Sequence, residues 1–269
     1  ALNGNVISGA ITSGDLGGLL AARNQVINPA LNQLGQVATA LSQTVNSQQA
    51  AGLDLNGQFG APIFSVGTPQ AVASSRNTDA TTATVSVNPT GLGALTADSY
   101  VLSYNAGAYS LTRAADGSSV AFTGTGTAGN PITANGISIV LSGTPAAGDQ
   151  FSIQPTATAA SSLKVVLTNP SKIAAAGAVQ ASASNANTGD AIISGGTTLD
   201  AANPNLLNPA TITFSNATTY SINSGPNQTY TDGANIDFNG WEVQISGAPA
   251  AGDVLTVTSN AGGTGDNRN

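Results

Sequence analysis

Apolar and polar positions change their period once along this chain. From Leu16 to Gln49 the apolar residues recur at helical spacing, with Leu16, Leu20, Ile27, Ala30, Leu34, Val37 and Leu41 mostly three or four apart. Leu19, Val26, Leu31, Ala38 and Val45 lie beside that stripe. The spacing predicts one long amphipathic helix or two joined ones. Ser13 or Asp15 can cap its start by accepting orphan backbone donors, and Gly52 is placed to stop it in a left-handed conformation. Gly17 and Gly18 weaken the pattern, and Pro29, which removes a backbone donor and disfavours helix at Asn28, predicts a kink or break. A lone stripe of this length cannot bury itself. The stripe continues in phase past Pro29, and it either packs on the domain that follows or, the preferred reading for a single long helix, needs partner helices upstream and downstream of this chain.

From Pro62 onward the pattern shortens to β runs separated by turns: 83–87, 100–104, 109–113, 137–141, 151–154 and, further on, 163–167. One stretch recurs. The segment Asn135-Gly-Ile-Ser-Ile-Val-Leu-Ser-Gly-Thr-Pro-Ala-Ala-Gly-Asp149 is echoed by Asn239-Gly-Trp-Glu-Val-Gln-Ile-Ser-Gly-Ala-Pro-Ala-Ala-Gly-Asp253, and Tyr109-Ser110-Leu111 by Tyr220-Ser221-Ile222. Two copies about one hundred residues apart are too long for a solenoid unit and too few for an array. They predict two related β domains, each a small antiparallel sandwich or barrel. In both copies Asn-Gly signals a type I′ hairpin turn, and Pro-Ala-Ala-Gly-Asp a longer turn before the closing strand. The expected organisation is a helical region over 1–60, a first β domain over 61–173, a second over 174–260 and a linker over 261–269. The fold class is mixed and mainly β. The abrupt start and end suggest a segment of a longer polypeptide.

Composition narrows the chemistry. Apolar residues make up 41% of the 269 positions, enough for real cores, while charged residues make up 7%, against roughly 25% in ordinary soluble domains. Ser, Thr, Asn, Gln and Gly must therefore cover the surface. The net charge of −7 includes six cations, Arg23, Arg76, Arg113, Lys164, Lys172 and Arg268, scattered without a basic stripe, which argues against nucleic-acid binding. No run is long and apolar enough to read as a membrane span. With neither Cys nor His, the chain offers no thiolate or imidazole ligand and no ordinary catalytic triad. The acidic residues, all Asp except Glu242, fall singly in turns, unlike the paired carboxylates of a glycosidase. Gly124-Thr-Gly126-Thr-Ala-Gly129 matches a dinucleotide-binding pattern in letters only, because another β run follows it where a helix is required. Asp54-Leu-Asn-Gly57 lacks the spaced oxygens of a calcium loop and reads as a turn after the helix. Asn216-Ala-Thr and Asn227-Gln-Thr fit glycosylation acceptors but read as loops. Trp241, after an Asn-Gly turn, reads as a core anchor. No catalytic, cofactor-binding or metal-binding residue emerges, and no enzyme activity is expected.

The helical region carries a resemblance. Ser13-Gly-Asp-Leu-Gly-Gly-Leu-Leu-Ala-Ala-Arg23, then Pro29, Asn32-Gln33-Leu34, Asn46 and Gly52-Leu-Asp-Leu-Asn-Gly57, is similar to the flagellar hook-associated protein 1 family. Leu167-Thr-Asn-Pro-Ser-Lys-Ile173 and Gly265-Asp-Asn-Arg-Asn269 also resemble family segments, while Asn24 and Gln49 stand where an acidic residue and a His are common. The resemblance implies a structural protein of the bacterial flagellum, extracellular, at the junction of hook and filament. Its expected partners are the hook protein, a second hook-associated protein on the filament side, further copies in a ring, and an export chaperone at the missing C-terminus. It assigns helix packing to Leu16, Leu19, Leu20, Ile27, Leu31, Leu34 and Leu41, with Arg23 at the edge of the stripe. The alternative is a surface adhesin or carbohydrate-binding module, which would require exposed aromatics in a groove.

Overall fold

The computed structural model describes residues 13–77, 81–265, 267 and 269. Asp266 and Arg268 of the last family-like segment lie outside the described residues. A continuous helical run comprises α1 (Gly14–Ala22), a π-helical segment (Arg23–Ile27) and α2 (Asn28–Ala51). Strands follow in chain order: β1 (Gly52–Leu53), β2 (Phe64–Ser65), β3 (Gln70–Ala73), β4 (Thr82–Val87), β5 (Tyr100–Asn105), β6 (Ala108–Arg113), β7 (Ile132–Ala134), β8 (Ile137–Ser142) and β9 (Gln150–Gln154). After the single turn α3 (Ala159–Ser162) come β10 (Lys164–Val165), β11 (Ala176–Gly177), β12 (Val179–Ala183), β13 (Ile192–Ile193), β14 (Thr197–Thr198), β15 (Ala210–Asn216), β16 (Thr219–Ile222), β17 (Gln228–Thr229), β18 (Asn235–Phe238), β19 (Trp241–Ser246) and β20 (Val254–Ser259). The chain divides into two compact units, one of residues up to 43 with 65–164, the other of 44–64 with 165–269.

Pro29 does not break the helix. Its ring would clash with the Gln25 carbonyl in an α-helix, and it has no N–H to offer that carbonyl. The chain widens by one residue just before it: the Asn28 N–H donates to the Arg23 carbonyl, five residues back, and Asn28 keeps right-handed helical dihedrals. The helix therefore continues through Pro29 without a break, and a π turn takes up the ring. Ser13 occupies the N-cap position in an extended conformation, without a side-chain capping bond. Gly52 is not the left-handed stop expected. Outside the positive-φ glycines, it opens β1, where a Cβ would meet the Ala176 carbonyl oxygen at 2.8 Å. The strand expected over 163–167 is reduced to Lys164–Val165.

In the first unit, β3-β9-β5-β6 and β4-β8-β7 form two antiparallel sheets. Between them Leu102, Leu111, Ile132, Ile139, Phe151 and Ile153 are buried in one core. In the second unit, β12-β20-β15-β16-β17 faces a sheet in which β13, β14 and β18 all pair with β19. Its core contains Phe214, Leu255, Val257 and a wholly buried Trp241. Pairing is the same in both: β3 and β12 each pair with the last strand, that strand with β5 or β15, and β8 or β19 with the strand just before it. The sequence repeat is therefore a repeat of topology. Both are open two-sheet sandwiches, not closed barrels.

The turn chemistry explains the shared pairing. Asn135-Gly136 (φ 44° and 74°) joins β7 to β8, and Asn239-Gly240 (φ 49° and 85°) joins β18 to β19, as type I′ turns require. Asp149 and Asp253, both buried, each accept the N–H three residues back, from Ala146 at 2.9 Å and Ala250 at 2.8 Å, and so close the two Pro-Ala-Ala-Gly-Asp turns. The glycine-rich 124–129 segment is a loop in which Thr127 and Asn130 form a bridge, with no helix after it. Ala at Gly240 would face both its positive φ and the Asp200 carbonyl oxygen at 2.8 Å. Gly240→Ala should cost about 1–3 kcal/mol, read as a lowered urea midpoint in the fluorescence of Trp241, the sole tryptophan.

Candidate assembly face

The packed side of the helix is not its leucine side. In the first unit, Gly35, Ala38, Thr39 and Ser42 are buried, at the i, i+3, i+4, i+7 spacing of one helical face. A Cβ on Gly35 would lie 1.9 Å from the Thr156 carbonyl oxygen, so only glycine permits this approach. The Gln36 amide donates to the Leu95 carbonyl at 2.6 Å, and the Thr39 hydroxyl turns back to the Gly35 carbonyl at 2.8 Å. Small side chains bring the helix backbone close to the sandwich, and amides supply the bonds.

In the second unit the same helix is tied down by side-chain amides. Asn46 accepts the N–H groups of Ile63 and Phe64 at 2.9 and 3.0 Å, and donates to the Phe64 carbonyl at 2.8 Å. Buried Gln49 donates to the Lys172 carbonyl at 2.7 Å and accepts the Ala174 N–H at 3.1 Å. Gln49 thus satisfies two backbone groups of the 172–174 segment. The Asp54-Leu-Asn-Gly57 turn is built around its carboxylate, whose side chain is only 1% exposed. Asp54 Oδ1 accepts from the N–H groups of Asn56 and Gln58 at 2.8 and 3.0 Å, and Lys172 Nζ lies 3.3 Å from Oδ2. Chiefly the Gln58 N–H, aided by Asn56 and Lys172 against the desolvation of burial, holds the Asp54 pKa at about 2. Asp253 is likewise lowered, first by the Ala250 N–H and then by Thr188.

The residues assigned to helix packing lie on the outside. Leu16, Leu19, Ile27, Leu31, Leu34 and Leu41 are exposed, Leu34 by 60%, together with Val26 and Val37, while Leu20 is half-buried and Arg23 exposed. The first unit brings them together along one helix without covering them. Sequence reasoning missed the face that is covered. The signal was present as small residues at Gly35, Ala38, Thr39 and Ser42, at the same helical spacing as the leucines. Aromatic side chains form no exposed platform among the described residues: Trp241, Tyr100, Phe151, Phe214 and Tyr220 are buried, and Phe59 is the one large exposed aromatic. Asn216 spends its side-chain oxygen on the Thr218 N–H and hydroxyl within a turn.

A helix closed on its small, polar side and open on its apolar side, followed by two β sandwiches of one topology, defines the architectural class of this chain. The comparisons give that class a family. Residues 2–64 match the flagellar hook-associated protein FlgK helical domain, and residues 72–155 the D2-like domain of flagellar hook-associated protein 1, together more than half of the chain. Flagellar hook-associated protein 1 of Escherichia coli K12 is 29% identical over 183 residues, covering 68% of this chain and 33% of the relative. That of Salmonella typhimurium LT2 is 30% identical over 166 residues, covering 62% and 30%. The solved structure of the flagellar hook junction protein FlgK from Burkholderia pseudomallei superposes with a TM-score of 0.76 at 31% identity, over 94% of this chain and 51% of that one. The chain belongs to the flagellar hook-associated protein 1 family. It spans about a third of the length of these curated relatives.

The lowered Asp54 pKa predicts that the second unit loses stability in acid. A carboxyl held at about 2 in the fold, against its ordinary 3.8, contributes stability above the ordinary value and loses it as the pH falls toward 2. The urea midpoint reported by Trp241 should fall between pH 4 and 2 in the wild type and less steeply in Asp54→Asn, which should also be the less stable of the two at pH 7.

Proposed function

We propose that this chain is the central portion of a structural protein at the junction of hook and filament, acting by assembly and not by catalysis. The observation that carries the reading is the exposed leucine stripe on a helix whose other face is already occupied. Apolar patches of this kind mark interaction surfaces in soluble proteins, and the family supplies the setting, an extracellular flagellar assembly. Leu16, Leu19, Leu20, Ile27, Leu31, Leu34 and Leu41 carry the packing in this proposal, with Arg23 making a polar contact at its edge. The proposed neighbours are the hook protein on one side, the filament-side hook-associated protein on the other, and further copies around a ring. An export chaperone would engage the C-terminal part of the full-length protein. Both sandwiches keep large aromatics buried in their cores.

Complementation tests the role. A strain lacking the gene should carry bare hooks and release flagellin into the medium, and the full-length gene should restore filaments; filaments that persist without the gene would remove the proposal. Leu34→Asp separates assembly from folding. Because Leu34 is 60% exposed, the substitution should change the stability of this chain by less than about 0.5 kcal/mol. In the full-length protein it would bury an unpaired charge at a cost of several kcal/mol, and filaments should be lost. Normal filaments on cells carrying Leu34→Asp would show that the stripe is not a packing surface.

A further inference from the structure

Cysteine, methionine and histidine are all missing from this chain, so the readily oxidised side chains that remain are one tryptophan and five tyrosines. Trp241 is wholly buried. Three of the tyrosines have their hydroxyls engaged: Tyr100 with the Thr96 hydroxyl at 2.6 Å and the Asn135 amide at 3.0 Å, Tyr220 with the Gln228 side chain at 3.1 Å, and Tyr230 with the Gly247 carbonyl at 2.8 Å. Tyr104 and Tyr109 are half-buried, and their hydroxyls have no hydrogen-bond partner among the described residues. These two stand opposite each other. The two-residue Ala106-Gly107 turn (φ 51° and 85°) joins β5 to β6 and pairs Tyr104 with Tyr109. The Tyr104 N–H donates to the Asp149 carbonyl at 2.9 Å, and its carbonyl accepts the Gly148 N–H at 2.8 Å, so both backbone groups of Tyr104 point away from β6. Tyr104 and Tyr109 are therefore a non-hydrogen-bonded cross-strand pair, the kind whose side chains come closest. Their rings are tilted by 54° with centroids 4.9 Å apart. Burial, and after it the adjacent Tyr104 phenol, raises the pKa of Tyr109.

We propose that Tyr104 and Tyr109 form an oxidative cross-linking site, which a peroxidase-type one-electron oxidant supplied with hydrogen peroxide converts into a single dityrosine across the β5–β6 hairpin. Each phenol gives up one electron to the oxidant and its hydroxyl proton to water. The two phenoxyl radicals couple through ring carbons ortho to their oxygens, forming one C–C bond, and the two ring hydrogens at that bond move to the oxygens and restore both phenols. The pair loses two hydrogens in all, while one hydrogen peroxide is reduced to two waters. The new bond closes a short covalent loop around the Ala106-Gly107 turn and, like a disulfide, restricts the unfolded hairpin. Nothing in this chemistry depends on the assembly reading above.

The purified chain, treated at low concentration with a plant peroxidase and hydrogen peroxide, should acquire dityrosine fluorescence while remaining a single chain on a denaturing gel. Fragment-ion mass spectrometry should place the loss of two hydrogens on Tyr104 and Tyr109. Tyr104→Phe and Tyr109→Phe each keep the ring contact and remove one phenol, so both variants should stay folded by circular dichroism and lose the fluorescence. Tyr230→Phe should cross-link as the wild type does. Dityrosine mapped to other tyrosines, fluorescence that survives Tyr104→Phe, or chains coupled to one another in place of the internal bond would overturn the site. So would a wild-type chain that gains no dityrosine under conditions in which the same peroxidase couples free tyrosine.

Discussion

Every outward feature of this chain depends on how closely its helix approaches the first sandwich. With a glycine at position 35 the helix backbone comes so near the Thr156 carbonyl that a Cβ there would overlap it, and Ala38, Thr39 and Ser42 are buried along the same face with little side-chain bulk. A leucine in this row would hold the helix several ångströms away. Because the close approach consumes the small face, the large apolar residues are left on the others. A helix with its leucines buried against the sandwich would be self-sufficient. This one leaves its large apolar residues exposed.

Amides and carboxylates do in this protein what salt bridges and aromatic clusters do elsewhere. With only 7% charged residues, backbone groups at the helix end and in the turns are satisfied by Asn46, Gln49, Asp54, Asp149 and Asp253. The carboxylates are buried but not stranded, since each accepts backbone N–H groups. Such bonds fix geometry tightly because both partners lie on or near the main chain. They hold β1 beside β11 in the second unit and close the equivalent turn in each sandwich. Asp54 and Lys172 come from family-like motifs more than one hundred residues apart in sequence and meet at 3.3 Å.

The duplicated sandwich shows how turns transmit topology. Strand lengths, core residues and surface positions differ between the two copies, yet the Asn-Gly and Pro-Ala-Ala-Gly-Asp turns recur. The strands they join then pair in the same order. Aromatic content is the main difference: the second core is filled by Trp241, Phe214 and Tyr220, the first mostly by aliphatic residues around Tyr100 and Phe151. One backbone plan accepts both fillings because it is set by the positive-φ turn residues and the inward alternation of each strand.

The amino-acid sequence alone settled the local matters. Period-three-and-four leucines required a helix, alternation between turn residues required strands, and two matching Asn-Gly to Asp stretches required two related β domains, because each is a constraint within a few bonds of the residues concerned. It also carried the family resemblance of the helical segment. Tertiary structure decided which face of the helix is used, since burial depends on what lies opposite. A stripe of leucines and a stripe of small residues are equally periodic, and only the sandwich's proximity selects Gly35 over Leu34. Pro29 likewise had two local solutions, a break or a widened turn. The continuous helix chose the second, because one π turn keeps the backbone bonded on both sides at the expense of rotating one half against the other.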